Sequence, residues 1–321
     1  MSDSNRDAQH ELARIHRSFG PISPTLYNMP INIVDQVLEK LEPMDRLKIR
    51  KVCRNLRTCV DRFGIHFNYI IFHIWKNAFE LGMDGFHIRY TDAENGGSTV
   101  RKDENQETPI EGASSMKIAF QDLKTVLKHT SELRISNEHN EHEIIKSFIE
   151  ILKSVKCIHV KTIKLVNFSF NDVITILQYC NTKVLESIAL WDTHINRQFE
   201  NIAHLDQWKC AKKCSLFGDK LENKLIDHLF HFQWFQIQLD DFPTYIAIKI
   251  RDDLMRRSTF QGCQIYCDTS KSNPIEIAKV FKPDYDGGNE FEIDYSNDNA
   301  NFKIQFNSFR NSSSRFDMHK L

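Results

Sequence analysis

From residue 116 onward, short pieces able to form strands recur at nearly even intervals, and this constrains the fold more than any other feature of the chain. They centre near Ile135, Ile163, Ile188, Ser215, Ile237, Gln264 and Ile293, 22 to 29 residues apart. Helical patterns lie between them, at Met116–Thr130, Glu141–Val155, Asn171–Cys180, Phe199–Leu205, Lys220–Phe230, Pro243–Arg257 and Pro274–Phe281. A strand-plus-helix unit of ~20–29 residues is leucine-rich-repeat-like in its geometry. One such unit cannot bury its own apolar face, so the units must stack. The helix starts agree locally: Ser169-x-x-Asp172 has the spacing of a capping box. Thr244–Ile250 reads two ways, because Ile246, Ile248 and Ile250 alternate as in a strand. The following run Arg251–Arg256 continues helically, and helix is the preferred reading. Phe291, Ile293 and Tyr295, then Phe302, Ile304 and Phe306, alternate on either side of a polar turn. That pattern predicts a β-hairpin able to close the open end of a stack. The domain built this way spans residues 116–310, with 311–321 as a tail.

Upstream the pattern changes. Residues 1–24 read as a polar lead-in in which Pro21 and Pro24 end any helix from Glu11 to Phe19. Residues 25–64 read as three short helices. Pro30 suits a first helical turn, and Ile33, Val34, Val37, Leu38 and Leu41 share one face. Pro43 opens a second helix holding Leu47. Cys53, Leu56, Val60 and Phe63 mark a third, with Gly64 as its C-cap. So small a module buries little surface alone and is expected to lean on a partner or on the next domain. Residues 65–115 read as connecting strands at Ile70–Ile74 and Phe86–Tyr90 around a turn with Gly82 and Gly85. An exposed loop follows at Asp92–Gly112.

Composition narrows the function. The chain has 321 residues, with 42 basic against 43 acidic, so it is not a globally basic nucleic-acid coat. Only 11 are glycine, half the usual share, which counts against phosphate-loop enzymes. The longest apolar stretch, Tyr69–Trp75, is broken by His73 and is too short to span a membrane. With no apolar signal core at the N-terminus and cysteines scattered along the chain, the eight thiols read as reduced, and the expected setting is the cytoplasm, with the nucleus also open.

No catalytic signature is found, neither a Gly-x-Ser-x-Gly elbow nor a phosphate-loop lysine. Cys210-x3-Cys214 and Cys263-x3-Cys267 could supply four thiolates to zinc. They fall in different repeats, and buried free thiols are the expectation, with no metal and no cofactor. His139 and His142, and His228 and His231, share a helical spacing that packing explains as well. Arg46, Lys48, Arg50, Lys51, Arg54, Arg57 and Arg62 crowd the helical module, so a nucleic-acid reader using residues 44–63 is the alternative reading. Five acidic residues hold the net charge over 25–64 to +3, however, and a solvated or protein-facing surface is preferred.

The stretch Met29-Pro30-Ile31-Asn32-Ile33-Val34-Asp35-Gln36-Val37-Leu38-Glu39-Lys40-Leu41 resembles the opening of an F-box. Pro43-Met44-Asp45-Arg46-Leu47 resembles its second helix, and Val52-Cys53-Arg54-Asn55-Leu56-Arg57 its third, with Leu56 where a tryptophan is usual. Ile163–Phe170, Leu229–Phe232, Ile248–Leu254, Lys279–Tyr285 and Tyr295–Asp298 resemble the FTH domain of the F-box A family. The resemblance implies a non-catalytic substrate receptor of an SCF-type ubiquitin ligase. Its F-box would dock on a Skp-type adaptor, and through it a cullin, while the FTH region binds a target protein. By the same analogy Pro30, Ile33, Val37, Leu38, Leu41, Leu47, Val52 and Cys53 face the adaptor, and Leu56, Val60 and Phe63 form the module's core.

Overall fold

The computed structural model describes residues 29–321 except 95, 104–105, 128–129, 140–141, 194–198 and 310–312. The lead-in at 1–24, with its two prolines, lies outside the described residues. The chain divides into two compact units, one ending at Ile65 and one running from His66 to Leu321.

The first unit holds three helices, α1 (Ile31–Lys40), α2 (Pro43–Arg50) and α3 (Arg54–Phe63). Pro30 stands at the N-cap of α1, and its carbonyl accepts from the Ile33 and Val34 amides. Pro43 occupies the first turn of α2, where a missing N–H costs nothing. Gly64 ends α3 at φ 90°, a left-handed conformation that favours glycine.

The second unit is built on one mixed sheet. Its antiparallel start is β1 (Phe67–Trp75), β2 (Ala78–Met83), β3 (Phe86–Asp92), β4 (Ser98–Asp103) and β5 (Gln106–Ile110). β6 (Thr130–Asn137), β7 (Thr162–Val166), β8 (Ser187–Trp191), β9 (Lys213–Phe217), β10 (Trp234–Gln238) and β11 (Gly262–Asp268) follow. The sheet ends in β12 (Phe291–Ser296), β13 (Asn301–Ser308) and β14 (Ser313–Lys320). Its order is β12-β13-β14-β11-β10-β9-β8-β7-β6-β1-β2-β3-β4-β5. β1 and β6 to β11 run parallel, each beside its predecessor. Parallel neighbours need crossovers. These are α5 (His142–Val155), α6 (Phe170–Leu177), the short α7 (Phe199–Ala203) and α8 (Asp206–Cys210), a 3-10 turn (Asn223–Leu229), and α9 (Thr244–Lys249), which continues into a π turn. Strands added in one direction by right-handed crossovers put every crossover on the same face. The burial follows: Ile163, Leu165, Ile188, Leu190, Phe235 and Ile237 are fully or nearly fully buried, and their strand neighbours are not.

Each predicted strand centre falls in a strand. Helix is also the outcome at Thr244–Leu254. The period has a backbone signature: the residues just past β7, β8 and β9 are Asn167, Asp192 and Gly218, all at positive φ. The Asn167 amide donates to the Trp191 carbonyl and the Asp192 amide to that of Phe217, both at 2.8 Å, so one corner repeats along the strand ends. A leucine-rich-repeat-like stack is nevertheless not what the unit is as a whole. Its crossovers differ in kind, and antiparallel strands extend the same sheet at both ends.

Four expectations are corrected. Asp92–Gly112 is not a loop: its residues 98–103 and 106–110 pair as β4 and β5. Residues 65–115 are accordingly no connector, since β1 to β5 belong to the sheet of the second unit. Gly82 lies inside β2, and the turn is made by Asp84 and Gly85, both at positive φ. The predicted tail holds β14, which separates the predicted hairpin β12–β13 from β11 and pairs antiparallel with both neighbours. Burial alternates along it at Ser314, Phe316 and Met318, the last two apolar, and that period of two is its physical reason.

α4 (Ser115–Val126) packs on the antiparallel end of the sheet. Its Phe120 lies 5.6 Å from Phe72 and 5.8 Å from Phe79. The buried Tyr90 hydroxyl donates to Asp122 at 2.8 Å, and burial raises its pKa.

Candidate functional site

The first unit is too thin to bury its apolar side chains. Val34 and Leu38 of α1 and Leu56 and Val60 of α3 are buried, each pair four residues apart on one helical face. α2 contributes no buried residue. Its apolar side chains Met44, Leu47 and Ile49 stay partly exposed.

The structure sorts the residues assigned to the adaptor. Val52, in the turn before α3, is 70% exposed. Pro30 and Ile33 are exposed on the first turn of α1, while Val37, Leu41, Leu47 and Cys53 are partly exposed. Leu38 is fully buried, which corrects its assignment: it packs inside the module and offers no surface. Phe63, assigned to the core, is exposed at the end of α3, with the Arg46 guanidinium 4.8 Å from its ring centroid. Ile31 was missed and is 55% exposed. It precedes the core position Val34 by one turn, and only the end of the helix leaves it uncovered. Ile31 and Val34 line one side of an open groove of about 290 Å³ whose other side is Asn55, Leu56, Thr58 and Cys59 of α3.

The basic residues of this unit are largely engaged. Arg50 pairs with Asp61 at 2.6 Å, Arg62 with Asp35 at 2.5 Å and Lys48 with Asp45 at 2.8 Å. Arg46 donates to the Leu38 and Glu39 carbonyls, at 2.7 and 3.2 Å. Arg57 donates to the Arg50 carbonyl at 3.4 Å. Cations bound to carboxylates and helix ends do not make a phosphate-tracking surface, which needs them free to displace counterions.

The metal candidates separate in space. Cys263 and Cys267 share one face of β11, Cys214 lies on β9, and Cys210 is exposed at the end of α8. Burial pushes the Cys214 and Cys263 thiols well up and that of Cys267 to about 11, against the thiolate a metal requires. Among the described residues no three His, Cys, Asp or Glu side chains converge as a metal site would require. His231 accepts a packing role: its Nε2 lies 2.9 Å from the Trp208 carbonyl, and its pKa is lowered by burial. Asn140, Glu141 and the His142 side chain lie outside the described residues. Asp240 is paired with Lys220 and Lys271, at 2.8 and 2.5 Å, and these cations hold its carboxyl near 2. No helix among the described residues is long and apolar enough to cross a membrane.

Comparison with known proteins gives these surfaces a context. The F-box domain family matches residues 26–68, which contain α1 to α3 and their apolar surface. The FTH domain family matches residues 142–284, from α5 past α10 (Pro274–Phe281). Over 331 aligned positions the chain is 26% identical to F-box A protein 224 of Caenorhabditis elegans, covering 98% of this chain and 84% of that protein. An F-box model and then an FTH model thus match the chain in that order, and its similarity to F-box A protein 224 runs over nearly its full length.

Proposed function

We propose that the chain is a substrate receptor of an SCF-type ubiquitin ligase. The F-box docks on a Skp-type adaptor, and through it a cullin, while the FTH unit binds a target protein. The carrying observation is the set of apolar side chains that the F-box leaves exposed, Ile31, Ile33 and Val52 above all. A three-helix module gains by covering such a patch with a partner. Pro30, Val37, Leu41, Leu47 and Cys53 extend it around α1 and α2. The receptor itself needs no reactive side chain. Holding a target beside a conjugating enzyme raises the local concentration of its lysines, and that is the catalytic contribution. Its place of work is the cytoplasm or the nucleus.

Capture of a purified Skp-type adaptor tests the reading. Wild type should retain the adaptor on a column, and Ile31→Asp with Val52→Asp should release it while circular dichroism stays unchanged. Failure of wild type to capture the adaptor would reject the proposal.

A further inference from the structure

The sheet face opposite the crossover helices carries side chains that the fold does not use. Register places Arg134 of β6 directly opposite Lys164 of β7, and Val166 opposite Trp191 of β8. Trp191 continues across to Phe217 of β9. All of these residues alternate with buried core positions, so they project from the open face. Trp191 and Phe217 lie 5.8 Å apart, and Phe217 and Tyr266 of β11 meet edge to face at 5.9 Å. Phe217 is 41% exposed, a large aromatic left open to solvent at the middle of a sheet.

Beside this aromatic row stand two cations. Lys164 Nζ lies 2.9 Å from the Trp191 ring centroid, and the Arg134 guanidinium lies 5.9 Å from it. Arg134 Nε is buried and has no hydrogen-bond partner, and Trp191 Nε1 is likewise buried without an acceptor. Neither cation forms an ion pair among the described residues. Glu132 acts on Lys164 from the same face of β6, one register row away, with Thr162 opposite it. Burial first, and then the neighbouring Arg134, lower the Lys164 pKa to about 8, with Glu132 opposing them. Holding such a pair is costly unless an anion completes it.

We infer that the Arg134–Lys164 pair and the Trp191–Phe217–Tyr266 row form the target-binding site of the FTH unit, and that its occupant is an extended acidic peptide segment with apolar side chains between its carboxylates. A carboxylate placed between Arg134 and Lys164 would give the guanidinium an acceptor, in the planar geometry arginine favours. Side chains two positions apart on an extended chain share a face, so an apolar residue two positions from the carboxylate would reach the aromatic row. Across β8 to β11 the neighbouring register row, Ala189, Ser215, Gln236 and Gln264, is small or polar and adds no charge of either sign. The inference rests on the reading of the FTH unit as the receptor for a target.

Fluorescence anisotropy of the full chain with a labelled peptide repeating Glu-Ser-Leu-Ser, which sets glutamate and leucine alternately on one face, tests it. The peptide should bind, its glutamine-for-glutamate counterpart should bind about tenfold more weakly or worse, and rising salt should weaken the first more than the second. Lys164→Gln and Arg134→Gln should each cost about tenfold, whereas Lys164→Arg should keep most of the affinity. Phe217→Ala should weaken both peptides alike. Equal binding of the two peptides, or unchanged binding by Lys164→Gln and Arg134→Gln, would overturn the site. Binding only when phosphoserine replaces glutamate, or stronger binding of duplex DNA, would overturn the occupant. Adaptor capture is read on the same variants. If they capture the adaptor while wild type ignores the acidic peptide, this inference fails and the receptor reading stands. If the peptide binds but wild type captures no adaptor, the receptor reading fails instead.

Discussion

Leu38→Ala and Val52→Asp separate two roles that the apolar pattern of the F-box runs together. Leu38 is fully buried, so removing its side chain leaves a cavity in a thin core and should cost roughly 2–5 kcal/mol of stability. Chemical denaturation would read this, and adaptor capture should fall only as far as the unit unfolds. Val52 is mostly exposed, so its substitution should change stability by no more than about 0.5 kcal/mol. Adaptor capture should still fall by at least about tenfold. Lys164 gives a prediction with a sign. Its pKa of about 8 is lowered first by burial and then by Arg134, with Glu132 opposing, so it loses its charge as pH rises through 8, ahead of ordinary lysines. Affinity for the acidic peptide should therefore fall between pH 7 and 9 in wild type. It should stay nearly flat in Lys164→Arg, whose guanidinium remains charged. A flat profile in wild type would remove Lys164 from the site.

At the scale of the element, β14 holds the end of the sheet together. It pairs with β11 on one side and β13 on the other. Phe316 at its centre is fully buried and meets Phe242 at 4.8 Å and Phe281 at 5.9 Å. Phe316→Ala should cost about 3–5 kcal/mol, read as a lowered denaturation midpoint. Deleting residues 313–321 should do more: it strands the β12–β13 hairpin and bares the edge of β11, an unpaired row of amides and carbonyls. Light scattering should show the truncated chain aggregating where full-length protein stays dispersed. A monomeric, fully stable truncation would mean that β14 is dispensable. The antiparallel strands at the other end of the sheet are anchored differently, by α4 and the Phe72, Phe79 and Phe120 cluster.

For the whole molecule, the two units differ in how much they bury. The first relies on a handful of core side chains, while the second shares a continuous core along its sheet. Hydrogen exchange should therefore be faster in α1 to α3 than in β6 to β11, because local opening costs less where few apolar contacts are lost. A bound Skp-type adaptor should slow exchange in α1 to α3 and leave β6 to β11 unchanged, since a ligand stabilises what it binds. Slowing confined to the sheet would contradict docking through the F-box.

The sequence by itself determined the local events. Pro30, Pro43 and Gly64 set the helix limits of the first unit through fixed φ, a missing donor and a left-handed cap. The recurrence of apolar pairs such as Ile163 and Leu165, or Ile188 and Leu190, placed each parallel strand, because a period of two marks a buried face wherever the strand lies. The resemblance of Met29–Arg57 to an F-box located the first candidate surface. Tertiary structure decided the rest, for reasons that periodicity does not carry. The polar runs of β4 and β5 read as loop because an edge strand with few buried residues owes its form to its neighbour's hydrogen bonds. Leu38 and Ile31 are equally apolar on one helix, and only the packing of α3 makes one core and the other surface. The juxtaposition of Arg134, Lys164 and Trp191 joins residues from three strands, and strand order and register alone bring them onto one face.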